Sequence, residues 1–177
     1  LYKLTKNFPI HTHVQNEDDF QFMKSNGLIN KNRASVIPGS GVDLDYFHPK
    51  HISSYKKKSN ITTFIYIGRL LKDKGLIELY LAMNSLKNKF QHVHLNILGI
   101  VDRDNPSALS SQQVLDLRSH PKITLINEVD DIRPYLANAD CLILPSYREG
   151  LPRSVLEAMS MEIPVIASNV PGCSTLV

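Results

Sequence analysis

The sequence is poor in cysteine. Its 177 residues hold two, Cys141 and Cys173, without the close paired spacing of a structural metal site, and Cys141 falls in a run that reads as a core strand. No disulfide framework is expected, and a reducing compartment fits best. Long apolar runs are missing as well: none approaches the ~20 residues that cross a bilayer. Charge of one sign is not concentrated either. The net charge is +3 with both signs interspersed, too little to argue for nucleic acid, though it suits a phosphate ligand or a weak attraction to anionic lipid. The sequence opens at Leu1 with neither an initiator methionine nor a signal-like leader, and it stops at Val177 directly after a strand and a turn. The expectation is a piece of something longer, amounting to one domain or slightly more.

What is present alternates. Leu1 to Asn16 reads as irregular, with a short strand around Ile10-His-Thr-His-Val. Asn16 suits an N-cap, Asp18 and Asp19 favour a first helical turn, and Phe20, Phe22, Met23 and Leu28 supply a packing side up to a stop near Gly27. Ala34-Ser-Val-Ile-Pro is a second strand, followed by Gly39-Ser-Gly-Val-Asp. Phe47 to Asn60, with Pro49 and Lys56-Lys-Lys and no periodicity, is the best linker. Beyond it the pattern turns regular. Strands are predicted at Ile61–Ile67, His92–Leu98, Ile123–Ile126, Asp140–Leu144 and Ile163–Ala167. Between them run helical stretches carrying Leu76, Leu79, Tyr80, Met83 and Leu86, closed by Phe90, then Ser110–Ser119, Ile132–Asn138 and one opening at Pro152 with Val155, Leu156, Ala158 and Met159 on its apolar face. Such alternation predicts an α/β fold: a Rossmann-like parallel sheet flanked by helices.

In such sheets ligands sit outside the carboxyl ends of the strands. Two turns fall on that edge. Gly68-Arg-Leu-Leu-Lys-Asp-Lys-Gly follows the first strand after the linker; Gly68 turns the chain, Arg69 offers a guanidinium fork and Lys74 a mobile point charge. Tyr147-Arg-Glu-Gly-Leu-Pro-Arg follows the fourth, where the amides near Gly150–Ser154 form an anion-binding helix start and Arg153 adds charge. Arg69 or Lys74 alone is an ordinary surface charge beside a helix start. Both together with the second turn are what a diphosphate needs. The first turn does not supply the G-x-G-x-x-G of a dinucleotide-binding oxidoreductase. His92 and His94, like His11 and His13, have the alternating spacing of strand packing, and no metal site is expected from them.

These residues resemble the retaining nucleotide-sugar glycosyltransferases of the GT-B fold, specifically glycosyltransferase family 4, the "group 1" transferases. The resemblance rests on GSGVD at Gly39–Asp43, GRLLKDKG at Gly68–Gly75, and the run from Glu128 to Gly172, in which Glu149 and Glu157 stand at an E-x7-E spacing. It implies that Gly68, Arg69 and Lys74 bind the donor diphosphate, that Glu149 lies near the transferred sugar, and that Gly150, Leu151 and Pro152 form the turn meeting phosphate or sugar. Glu157 is implied to hold the ribose hydroxyls, and Glu128–Val129 to lie near the base. Glu149, Arg69 and Lys74 are thereby the catalytic candidates. Eight residues of helix span ~12 Å, so the glutamates are not expected to act as one acid/base dyad.

The resemblance further implies that 1–47 is the end of an N-terminal domain with its crossover, and 48–177 a nucleotide-sugar-binding domain truncated at its C-terminus. The chain would be the C-terminal half of a GT-B enzyme. That enzyme would transfer a hexosyl or N-acetylhexosaminyl group from a nucleoside-diphosphate donor, expected to be a UDP-sugar. The acceptor would be a glycan or lipid-linked molecule bound mainly by the N-terminal domain. No cofactor and no metal are implied, and the setting is cytoplasmic polysaccharide biosynthesis, with peripheral association at the inner face of the membrane. The fragment alone is expected to be inactive. Two rivals are a non-hydrolysing sugar-nucleotide epimerase of the same architecture, which the basic pair and E-x7-E speak against, and a nucleotide-binding module with no activity of its own.

Overall fold

A computed structural model of the chain describes residues 10–51 and 60–177. The first elements make a small βαβ unit. Strands β1 (Thr12–Val14) and β2 (Ala34–Val36) pair in parallel, with Thr12 opposite Ala34, and helix α1 (Glu17–Ser25) crosses between them. Asn16 caps α1 as expected, its side chain accepting the Asp19 amide at 2.7 Å, and Glu17, Asp18 and Asp19 complement the helix dipole. The Leu28 amide returns to the Met23 carbonyl at 2.8 Å and closes the helix end. The expected packing side is less covered than its pattern implies: no residue of α1 is buried, and Phe22 is half exposed.

The larger sheet holds five strands: β3 (Thr62–Ile67), β4 (Val93–Leu98), β5 (Ile123–Ile126), β6 (Cys141–Leu144) and β7 (Val165–Ala167). Their order is β5-β4-β3-β6-β7 and every pairing is parallel. Helices α2 (Leu76–Leu86), α3 (Ser111–Ser119), α4 (Arg133–Ala137) and α5 (Arg153–Ser160) connect them. Both faces of the central strands are covered, which is why their sequences are near-continuous apolar runs. Ile65, Tyr66, Leu95, Ile97 and Leu142 are buried at the centre against Leu76, Leu136, Val155, Ala158 and Met161. Each such side chain stabilises the fold by about 1.5–3 kcal/mol. The sheet grows from β3 outward to β5, then returns to β6 on the other flank. The crevice between the carboxyl ends of β3 and β6 is therefore the topological switch point, where doubly wound sheets take their ligands.

Several boundaries differ from the sequence reading. Pro152 is the N-cap of α5, in extended conformation, and the first helical residue is Arg153. On α5, Val155 and Ala158 face inward as expected, but Met159 is exposed and Glu157 is buried. Phe90 lies beyond α2 and is exposed, and Ile163 and Pro164 precede β7. The start of the linker is stitched to the larger sheet. Phe47 is buried in that core and its carbonyl accepts from Ser160 Oγ, while the Arg133 guanidinium, bonded to Asp131, lies 3.6 Å from the Tyr46 ring centroid. Pro49–His51 forms one tight turn, and Lys56-Lys-Lys lies outside the described residues. The histidines make ordinary contacts. His94 meets Thr124 Oγ1 at 2.8 Å, and His11 and His13 both meet Ser35 Oγ, at 3.2 and 2.9 Å. Among the described residues no group of three His, Cys, Asp or Glu is arranged for a metal.

Candidate donor-binding site

Two loops leave the switch point. The first follows β3. The Gly68 amide donates to the Leu98 carbonyl at 3.0 Å, Tyr66 Oη to the Arg69 carbonyl at 2.9 Å, and the Leu70 amide to Ile100 at 2.8 Å. A tight turn at Lys72–Lys74 then ends at Gly75, whose φ of +71° starts α2. The second loop follows β6 through Pro145 and Ser146. It is laced to the first: the Tyr147 amide donates to the Asp73 carbonyl at 2.9 Å, and Tyr147 Oη to Glu78 Oε1 at 2.6 Å. Gly75 packs so closely on this second loop that a Cβ there would sit 2.1 Å from the Pro145 carbonyl oxygen.

The lacing brings Lys74 and Glu149 together. Lys74 Nζ lies 2.6 Å from Glu149 Oε1, and the buried Ser146 Oγ donates to that same oxygen at 2.6 Å. The two charged side chains are only 20% and 11% exposed. Glu149 Oε2 accepts no hydrogen bond among the described residues, so the carboxylate is held by one oxygen and presents the other. The turn beyond is pinned from outside the sheet, with Asn16 Nδ2 donating to the Gly150 carbonyl at 2.8 Å and the Glu149 carbonyl at 3.3 Å. The amides of Gly150, Leu151, Arg153 and Ser154 donate to no acceptor among the described residues. They leave a set of donors beside Glu149 at the start of α5, with Pro152 between them.

Other predicted residues take different places. Arg69 Nη1 is bonded to Asp102 Oδ2 at 2.7 Å, and Arg153 Nη2 lies 3.3 Å from Glu157 Oε1. Both guanidiniums thus have internal partners where the sequence suggested open anion sites. Glu149 belongs to the turn before α5 and only Glu157 to the helix. The helical spacing argument therefore does not measure their separation; their separate partner sets show that they form no dyad. Glu128 and Val129 follow β5 on the same carboxyl edge, two strands out from β3; Glu128 is exposed, and Val129 packs against the core. Ser146, Asp102 and Asn16 are site residues that the sequence reading missed as such. Ser146 reads as a strand terminator, Asp102 as a turn residue and Asn16 as a helix cap, and no local pattern marks their second role.

Burial pushes the Glu157 carboxyl above its ordinary value of 4.5, and the neighbouring Arg153 partly offsets this. The folded chain then holds that proton more tightly than the unfolded chain. Stability is expected to fall as pH rises from about the ordinary carboxylate range through the raised folded value, and to fall no further above it. Glu157→Gln is expected to flatten that decline and to melt higher than wild type at neutral pH. Thermal unfolding of both chains between mildly acidic and neutral pH checks this; parallel curves would contradict it.

A parallel doubly wound sheet with a cation, a carboxylate and a row of unused amides at its switch point has the arrangement on which α/β domains take nucleotides and phosphates. The family pattern described as "Glycosyl transferases group 1" matches residues 48–177, and the chain belongs to that family. It is 33% identical, over 98% of its length, to N,N'-diacetylbacillosaminyl-diphospho-undecaprenol alpha-1,3-N-acetylgalactosaminyltransferase of Campylobacter jejuni, covering 46% of that protein. It is 29% identical to the capsular polysaccharide biosynthesis glycosyltransferase CapM of Staphylococcus aureus, over 84% of this chain and 40% of CapM. The chain thus spans about half the length of these relatives or less. Among solved structures, Anabaena HepE in complex with UDP-glucose superposes with a TM-score of 0.78 at 20% identity, over 98% of this chain and 49% of that one. That likeness speaks to the fold.

Proposed function

We propose that this chain is the donor-binding half of a retaining GT-B glycosyltransferase of family 4. In this reading 48–177 holds the nucleotide-sugar, and 1–47 ends the acceptor-binding half. The donor is a UDP-sugar, the transferred group a hexosyl or N-acetylhexosaminyl unit, and the acceptor a glycan or a lipid-linked sugar. The work takes place on the cytoplasmic face of a membrane, in polysaccharide assembly. The Lys74–Glu149–Ser146 cluster at the switch point carries this reading. The named activities of the Campylobacter and Staphylococcus relatives, and the UDP-glucose bound to the Anabaena protein, support it.

The chemistry follows from charge. Breaking the bond between the anomeric carbon and the diphosphate leaves negative charge on the leaving oxygens. Lys74 and the amides of Gly150 and Leu151 are held on the edge where that charge develops, so little reorganisation is needed when it appears, and Arg69 joins them by exchanging its carboxylate partner for phosphate. Glu149 Oε2 faces the sugar and accepts from its hydroxyls. Glu157 takes the ribose hydroxyls, and the backbone at Glu128–Val129 meets the base. The protein's own cations supply the positive charge, so binding proceeds without a metal. The chain alone binds the donor and does not transfer sugar.

Calorimetric titration of the chain with UDP, ADP and GDP in EDTA tests this. One diphosphate is expected to bind, UDP above the others, with affinity severely weakened but still measurable in Arg69→Ala. Glu157→Ala is expected to weaken UDP about tenfold, the cost of one or two lost charge-assisted hydrogen bonds, while inorganic pyrophosphate is unaffected. Equal losses for both ligands would remove Glu157 from the ribose.

A further inference from the structure

The arginine of the proposed diphosphate site is occupied by this chain's own carboxylate. We infer that Asp102 is an internal stand-in for phosphate, displaced from Arg69 when the diphosphate arrives, and that it sets the site's affinity and its threshold against weaker anions. The inference rests on the proposed donor site and adds an affinity-setting residue to it.

Asp102 is not a passing neighbour. Its loop is tied to the Arg69 loop along its length: Leu70 N donates to Ile100 O at 2.8 Å, Leu109 N to Leu70 O at 3.0 Å and Lys72 N to Ser107 O at 2.7 Å, and Leu71 pairs with Ala108. A further bond runs from the Asp73 amide to Ser107 Oγ at 3.2 Å, and Asp102 opens its own turn by accepting the Asn105 amide at 3.1 Å. The carboxylate is therefore delivered to Arg69 by fixed backbone, 2.7 Å from Nη1.

The two ion pairs of the site differ in how easily they open. Lys74–Glu149 is largely buried and Glu149 has a second anchor in Ser146, so separating it strands a charge. Arg69 is 56% exposed and Asp102 30%, so water replaces either partner cheaply. An incoming diphosphate, with more charge and more acceptor oxygens than one carboxylate, outcompetes Asp102 for the guanidinium fork. A singly charged anion gains little over the aspartate already there. Asp102 thus subtracts a constant amount from the binding of every anion, and only ligands with a large gross attraction keep a useful remainder.

The test titrates wild type and Asp102→Asn with UDP and with inorganic pyrophosphate. The variant is expected to bind both roughly two- to fivefold more tightly, the range an exposed pair of this kind is worth. In an Arg69→Ala background Asp102→Asn is expected to change nothing, because the gain runs through that guanidinium. Asp104→Asn, in the same loop and equal in charge change, is expected to gain less. Weaker or unchanged binding in Asp102→Asn would overturn the inference and make Asp102 a support for Arg69. So would an equal gain in Asp104→Asn, or a gain that survives Arg69→Ala. Wild type and variant that both ignore UDP and pyrophosphate would instead take away the donor-site reading itself, and this inference with it.

Discussion

Lys74→Ala is expected to lower the stability of the folded chain by about 3 kcal/mol and to abolish UDP binding at once. The stability loss follows from what stays behind. Glu149 is 11% exposed and would keep only the Ser146 hydroxyl as a partner, leaving a buried carboxylate without its counter-charge. The binding loss follows, on the proposed reading of the site, from removing the better buried of its two cations. A second substitution separates the effects: Lys74→Ala with Glu149→Gln is expected to recover most of the stability and none of the binding. Urea unfolding and UDP titration on the single and double variants read both. A Lys74→Ala chain as stable as wild type would mean that the pair contributes nothing to the fold. Arg69→Ala should cost the fold little, because its pair lies near solvent.

Gly75→Ala is the second large effect. Alanine at a φ of +71° costs about 1–2 kcal/mol by itself, and its Cβ would sit 2.1 Å from the Pro145 carbonyl oxygen and 2.9 Å from Pro145 Cγ. Backbone must move on one side or the other. The movement separates the loop that carries Lys74 from the loop that carries Glu149, so UDP affinity is expected to fall together with a stability loss of about 3 kcal/mol or more. Gly27→Ala provides the control, since its φ is +62° and nothing lies within 4 Å of its Cβ position. It is expected to show the conformational cost alone and to leave UDP binding unchanged. Equal losses in the two variants, read by chemical unfolding, would mean that the contact with Pro145 is without consequence.

The strand–helix alternation after residue 60 was legible because each element obeys one rule. Buried parallel strands are apolar runs, and α2 repeats its leucines at helical spacing; Ile123–Ile126 comes out as read, and Ser110 caps α3 with a reciprocal Gln113 bond. Elements read less well where a polar side chain breaks the apolar pattern. On α5, Glu157 occupies an inward position that periodicity would give to Met159, and the helix tolerates it because Arg153 lies one turn back. Phe22 and Phe90 are apolar in sequence yet exposed, since hydrophobicity predicts a preference and not a partner. Of the candidate site, the parts that follow strand ends were visible: Arg69, Lys74, Glu149 and Gly150. The parts that act through space were not. That Asp102 would reach Arg69, thirty-three residues away, or that Asn16 would reach the Gly150 carbonyl, depends on which strands neighbour which, and a strand order is not written in any local pattern.

Asn16 also has a mechanical consequence. Its carboxamide begins α1 through one atom and grips the Glu149–Gly150 turn through another, and beside it Arg148 pairs with Asp19 of α1, so the small βαβ unit is riveted to the site. The rivet has a lever arm on one side, the whole β1–α1–β2 unit, and on the other a turn whose neighbour is the carboxylate paired with Lys74. Any displacement of that unit would load the two carbonyl oxygens of that turn together with the Arg148–Asp19 pair. The placement of the first unit is thereby coupled to the aim of Glu149, through Asn16 and through the Arg148–Asp19 pair.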